Sequence, residues 1–153
     1  MEKKILQLKK ACKENSLRYT TQREKIFLAV ANSCSHPDVE QVFNTVKQEV
    51  GDISMDTIYR NLQTLENLKL IFRVDHQIPK ARFDADMTNH CHFICTKCGE
   101  IYDIFYKEKT SIPENAKEFG AIKHVNLQVK GICNKCISEM KKEKNDGTKR
   151  QQN

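Results

Sequence analysis

Two Cys-x-x-Cys pairs constrain this chain more than any other feature. They are Cys95-Thr96-Lys97-Cys98 and Cys133-Asn134-Lys135-Cys136. A tight turn aims two thiolates in one direction, and two such turns supply four. Four thiolates make a closed tetrahedral site, which suits Zn(2+). A closed site offers no position to a substrate, so its predicted role is structural: it pins the chain end to a β-sheet. The stretch between the pairs is longer than in compact zinc fingers, so each pair is expected at the end of a strand. Two other chemistries fit less well. A thiol–disulfide enzyme needs its motif at a helix N-terminus in a βαβ setting, but strand-like sequence flanks the first pair. A zinc deaminase needs His-x-Glu, which the chain lacks.

The chain has seven cysteines, an odd number, among 153 residues. No run approaches the roughly 20 apolar residues of a membrane span. Lysines interrupt the first sixteen residues, MEKKILQLKKACKENS, where a secretion signal would be continuously apolar. The expectation is therefore a soluble protein of a reducing compartment, cytoplasmic, with no membrane partner. There, cysteine-rich sequence points to metal or redox chemistry and not to disulfides. The formal net charge of +6 favours an anionic partner without establishing one.

The first half reads as helices. Ile5, Leu8 and Cys12 keep helical spacing over 3–15. Thr20 to Arg23 can cap a second helix, with Ile26, Phe27, Val30 and Ala31 on its apolar side. Pro37 suits the first turn of a third helix, which buries Val39, Val42, Phe43 and Val46 and ends at Gly51. Ser54 opens a fourth, with Ile58, Leu62 and Leu65 in one stripe. Residues 71–76 and 80–84 then alternate as a hairpin across Gln77-Ile78-Pro79. Helices followed by a hairpin describe a winged helix, whose last helix enters the DNA major groove. The second half reads as strands over His90–Thr96, Glu100–Tyr106 and His124–Ile132, with a short helix over Pro113–Phe119. The charged tail from Met140 is expected to fray.

A second site is suggested by His90 and His92. On a strand both face one side, while Cys91 and Cys95 face the other. Asp84 and Asp86 precede them, Asp103 can return alongside on the next strand, and His36 lies in the helical half. Imidazoles and carboxylates suit iron, manganese or zinc. Spacing alone does not choose between Asp84 and Asp86, nor does it bring in His36.

These motifs together resemble the ferric uptake regulator family. They are Thr20–Arg23, His36-Pro37, Ser54-x-x-Thr57-x-Tyr59-x-Asn61-Leu62, Arg82-Phe83-Asp84, His90-x-His92-x-x-Cys95-x-x-Cys98-Gly99 and Cys133-x-x-Cys136. The resemblance runs over most of the chain and implies an α+β protein. It would have an N-terminal winged-helix DNA-binding domain over 1–83 and a C-terminal α/β dimerisation domain over 84–153. It also implies a bacterial homodimer that binds a double-stranded DNA operator as a metal-dependent repressor, not an enzyme.

Within that family the chain is most similar to the peroxide-sensing branch. The implied regulatory ligands for Fe(2+) or Mn(2+) are His36, Asp84, His90, His92 and Asp103. The implied zinc ligands are Cys95, Cys98, Cys133 and Cys136. Peroxide sensing would proceed by Fe(II)-catalysed oxidation of His36 or His90, followed by release of DNA. Tyr59, with Thr57, Arg60 and Gln63, would read the operator, and Arg18 and Arg23 would meet phosphate. Arg60 departs from the uncharged residue expected there. Met87-Thr88-Asn89 replaces the His-rich run of the iron-sensing branch, and Cys91 stands in place of a usual Asp, so no third metal site is implied. The competing reading within the family is an iron- or zinc-responsive repressor without peroxide sensing. Outside it stand a thiol or metal redox enzyme and a binding module without DNA.

Overall fold

The computed structural model describes residues 2–74, 80–88, 90–105, 114–121 and 127–149. They form two compact units, Met1–Met87 and Thr88–Asn153.

The first unit is built from α1 (Glu2–Glu14), α2 (Thr21–Ala31), α3 (Val39–Val50), α4 (Met55–Asn67), β1 (Phe72–Arg73) and β2 (Phe83–Asp84). Local chemistry sets the helix starts. Thr20 and Ser54 accept the backbone N–H of Arg23 and Thr57, at 3.2 and 3.1 Å. Asp38 and Gln41 form a reciprocal capping box, both bonds 2.8 Å long. That box moves the start of α3 beyond the sequence expectation. Pro37 lies just outside the helix, and Asp38 is the cap. Gly51, at φ +79°, ends α3 in a conformation that side chains rarely adopt.

The apolar stripes converge on one core. Leu8, Ile26, Phe27, Val30, Val42, Val46, Ile58, Leu62, Leu65, Ile71 and Phe83 are all buried in it. β1 and β2 pair antiparallel, Phe72 opposite Asp84 and Arg73 opposite Phe83. Of the hairpin expected over 71–76 and 80–84, Phe72–Arg73 and Phe83–Asp84 are paired strand, while residues 75–79, with the turn Gln77-Ile78-Pro79, lie outside the described residues. Four helices followed by this pair are a winged helix.

The second unit holds β3 (His90–Cys95), β4 (Ile101–Phe105), a short 3₁₀ helix (Glu114–Phe119), β5 (Gln128–Gly131) and α5 (Asn134–Lys149). β3 is central, antiparallel to β4 and parallel to β5. Of the strand expected over His90–Thr96, all but the last residue is extended. The expected β5 is found only over Gln128–Gly131, and residues 122–126, with His124, lie outside the described residues. The tail corrects an expectation: α5 continues to Lys149, where fraying from Met140 was expected. Its Lys and Glu residues are good helix formers, so a charged stretch can continue a helix already begun at Asn134. Among the described residues, no helix is long and apolar enough to cross a membrane.

Leu62, on α4, is 2% exposed. Truncation of Leu62 to Ala should lower stability by about 2–5 kcal/mol. Urea unfolding should show this as a fall in midpoint at unchanged slope.

Candidate metal centres and nucleic-acid interface

The first cysteine pair sits in a knuckle at the end of β3. Cys95 N donates to Glu100 O, and Gly99 N to Cys95 O, both at 2.9 Å. Gly99 takes φ +73°, which lets the chain reverse within the turn. The second pair follows β5 and enters α5. Cys133 immediately precedes the helix, Cys136 lies in its first turn, and Ile137 N donates to Cys133 O. Strand-end placement was expected for both pairs; the helix N-terminus under the second was not. β5 runs parallel to β3, with Gly131 opposite Cys95, and this brings the two turns together. The Gly131 position must be small, because a Cβ there would lie 3.0 Å from the Phe93 ring.

The four sulfur atoms all lie within 4.8 Å of one another. Cys95 and Cys136 Sγ are 3.9 Å apart, and Cys98 and Cys133 Sγ 3.8 Å. Backbone amides polarise part of the cluster. The Cys133 N–H donates to Cys95 Sγ at 3.3 Å and is the main reason that the Cys95 thiol is drawn down to about 6. The Cys136 amide lowers Cys133. Burial pushes Cys136 up to about 12. Four crowded thiols cannot all ionise without a counter-charge, and a divalent cation supplies it. The donor set therefore fits Zn(2+) in a closed tetrahedral site. Tyr102, on β4, joins this site although nothing in its spacing singled it out. Its hydroxyl bonds to Cys133, which raises the phenol to about 12. The parity of β4, opposite to that of Asp103, is the only signal that the sequence offered.

The same strand carries a second donor set. His90 and His92 stand two apart on β3, their ring centroids 4.7 Å apart and their Nε2 atoms 3.1 Å apart. Two bare lone pairs would repel at that distance, so the pair must share a proton or a cation. Asp103 is the direct β4 neighbour of His92. Its Oδ1 lies 3.5 Å from His92 Nε2 and 3.9 Å from His90 Nε2. Both imidazoles are buried while Asp103 is about a quarter exposed. His90 Nδ1 is 3.0 Å from the Thr88 carbonyl, which orients that ring. Cys91, on the other face of β3, is buried.

In the first unit, His36 pairs with Asp84. Nε2 of His36 is 3.6 Å from Oδ2 of Asp84, and both side chains are nine-tenths buried or more. Asp86 donates its backbone N–H to Asp84 Oδ1 at 2.8 Å, so it orients Asp84 through its main chain.

The exposed face of α4 carries Tyr59, Arg60 and Gln63, with Thr57 half-buried beside them. Tyr59 is 56% exposed, high for an aromatic residue. Arg60 pairs with Asp56 one turn earlier at 2.9 Å. Arg18 is exposed. Arg23 is engaged within the unit: its Nε donates to Asn61 Oδ1 at 3.2 Å and its Nη1 to the Arg18 carbonyl. It thus braces α4 against α2. Cys12 is buried in the core, and Cys34 is exposed.

The sequence profile of the Ferric uptake regulator family matches residues 14–131. The chain belongs to the ferric uptake regulator family. Among its relatives, the Peroxide-responsive repressor PerR of Staphylococcus epidermidis is 29% identical over 141 residues, covering 91% of each chain. Among solved structures, the Helicobacter pylori ferric uptake regulator, described as having three functional metal binding sites, matches with a TM-score of 0.71 at 24% identity. That match covers 88% of this chain and 92% of the other. The Campylobacter jejuni peroxide stress regulator matches with a TM-score of 0.64 at 24% identity, over 86% and 98% of the two chains. These matches establish the winged helix followed by an α/β domain as this chain's architecture.

The thiol cluster predicts a metal dependence. Cys95→Ser should reduce bound zinc from one equivalent per chain to a small fraction, read by elemental analysis after dialysis against a chelator. Cys91→Ser should leave it unchanged.

Proposed function

We propose that this protein is a dimeric, metal-dependent DNA-binding repressor that responds to peroxide. The observation that carries the reading is the cluster of His90, His92 and Asp103. These three nitrogen and oxygen donors converge across β3 and β4, while β3 leads into the turn whose Cys95 and Cys98 belong to a closed thiol site. A closed thiolate site serves to hold structure, whereas imidazoles and a carboxylate suit Fe(2+) or Mn(2+). Membership of the ferric uptake regulator family and the similarity to PerR of S. epidermidis support the same assignment.

In this reading His36 and Asp84 complete the regulatory ligand set, with His90, His92 and Asp103, while Cys95, Cys98, Cys133 and Cys136 hold Zn(2+). Ligands drawn from both units would make the affinity for the ion depend on the angle between them. The ion would then favour one arrangement by its differential affinity. In a homodimer that angle sets the spacing of the two α4 helices, and so their fit to half-sites about one DNA turn or a multiple apart. Tyr59, Arg60, Gln63 and Thr57 face the base edges, and Arg18 meets a phosphate. Arg23 acts mainly by holding α4 in place. The residues that would hold Fe(II) include the imidazoles of His36 and His90; the ion would supply redox activation of peroxide, one oxygen atom being taken up by one of these imidazoles and the other leaving as water. An oxidised imidazole is a poorer ligand, so the units are released from their DNA-binding arrangement.

The test begins with duplexes selected from a random pool by the Mn(II)-loaded protein. Peroxide should abolish binding of the Fe(II) form and spare the Mn(II) form, with one oxygen atom added to the His36 or His90 peptide in mass spectra. Oxidation confined to cysteines, with equal loss in both forms, would sink the peroxide reading. Unchanged binding in both forms would leave an iron- or zinc-responsive repressor. Separately, Arg18→Ala should weaken binding to all duplexes alike and lower the salt slope, log K against log salt, by about 0.9.

A further inference from the structure

His36 adopts an unusual backbone. Its φ is +50°, in the left-handed region that few side chains adopt. The next residue is Pro37, and a residue before proline ordinarily prefers extended backbone. Such a conformation persists only where the surroundings over-determine it.

The surroundings are supplied mainly by one residue. The guanidinium of Arg82 donates through Nε to the carbonyl of His36 and through Nη2, at 2.7 Å, to the carbonyl of Ser35. Two successive carbonyls are thus held by the two arms of one planar fork, a geometry that arginine offers and lysine does not. The backbone adds to the clamp. Phe83 N donates to Pro37 O at 3.1 Å, and Arg82 forms a β-bridge with Asp38. Strand alternation explains why Arg82 can do this. Phe83 points into the core, so Arg82 and Asp84 lie on its other side, toward the His36 loop. Arg82 reaches the backbone of His36, and Asp84 approaches its ring at 3.6 Å.

We infer that Arg82 is a positioning residue for the regulatory metal: it locks the His36 loop in its left-handed turn and so holds the His36 imidazole beside Asp84. The inference rests on the reading of His36 and Asp84 as metal ligands. Arg82 itself touches neither the ion nor DNA in this scheme. Its contribution is to fix the ring before the ion arrives, so that binding does not have to order the loop.

The experiment titrates Mn(II) into full-length, zinc-replete protein and reads the free ion by electron paramagnetic resonance. The ring protons of His36 are followed by NMR in the metal-free form. Wild type is compared with Arg82→Gln, Arg82→Lys and His36→Ala. Arg82→Gln should bind Mn(II) roughly 10–100-fold more weakly, in the range for loss of a group that orients a ligand. The His36 ring signals should shift or broaden, with zinc content unchanged. Arg82→Lys, able to serve one carbonyl at a time, should fall between, and it decides the matter should Arg82→Gln not fold. A merely structural arginine would lower the unfolding temperature and leave Mn(II) affinity, measured well below it, at the wild-type value. That result, or full affinity in Arg82→Lys, overturns the inference while the His36→Ala loss upholds the ligand reading. Wild-type affinity in His36→Ala, or no Mn(II) binding by wild type, overturns the ligand reading and the inference with it.

Discussion

The two-residue alternation of β3 is the constraint on which the second unit depends. Six residues, His90–Cys95, carry donors for two different chemistries. Because successive side chains leave opposite faces of a strand, His90 and His92 share one side, and Cys95 leaves the other. A slip of one residue would exchange the faces and mix imidazole with thiolate. The register is held from both sides, by β4 through five residue pairs and by β5 through four. Those neighbours also bring what β3 lacks. β4 returns Asp103 opposite His92, and β5 delivers Cys133 beyond Gly131.

The same arrangement links the two donor sets physically. Tyr102 bonds to Cys133, while the adjacent Asp103 lies against His92. Anything that loosens the thiol cluster therefore also loosens the strands that aim the imidazoles. The reverse need not hold, because the thiol cluster is tied to the Cys95–Glu100 knuckle and the start of α5, neither of which contains a histidine. A fixed ion stabilising the scaffold and an exchangeable one read by it are compatible for this reason.

In the first unit the arginine that shapes a histidine loop was harder to foresee than the histidine. Arg82 was visible as part of a family-like motif, but its use depends on where the His36 carbonyl points. That direction follows from a positive φ before proline, against the local preference of the chain. Arg23 makes the same point from the other direction. Its charge and place suggested phosphate, and the packed geometry adds a bond from its Nε to Asn61 that its sequence position did not announce. The start of α3 differed by a smaller margin: the reciprocal bonds of Asp38 and Gln41 outweighed the helix-starting tendency of Pro37.

The sequence by itself determined the four helices of the first unit, the strands around the first Cys-x-x-Cys pair and the separation of imidazole from thiolate on β3, all of which follow from local periodicity, capping chemistry or motif spacing. The family was legible from a set of motifs spread over most of the chain. Tertiary structure gave the meeting of four thiols within 4.8 Å and of Asp103 with His92 their geometry, and it alone decided that Tyr102 bonds to one thiol and that Arg82 clamps the His36 loop. Those are contacts between residues far apart in the chain. They depend on strand register and on backbone directions that no local propensity contains.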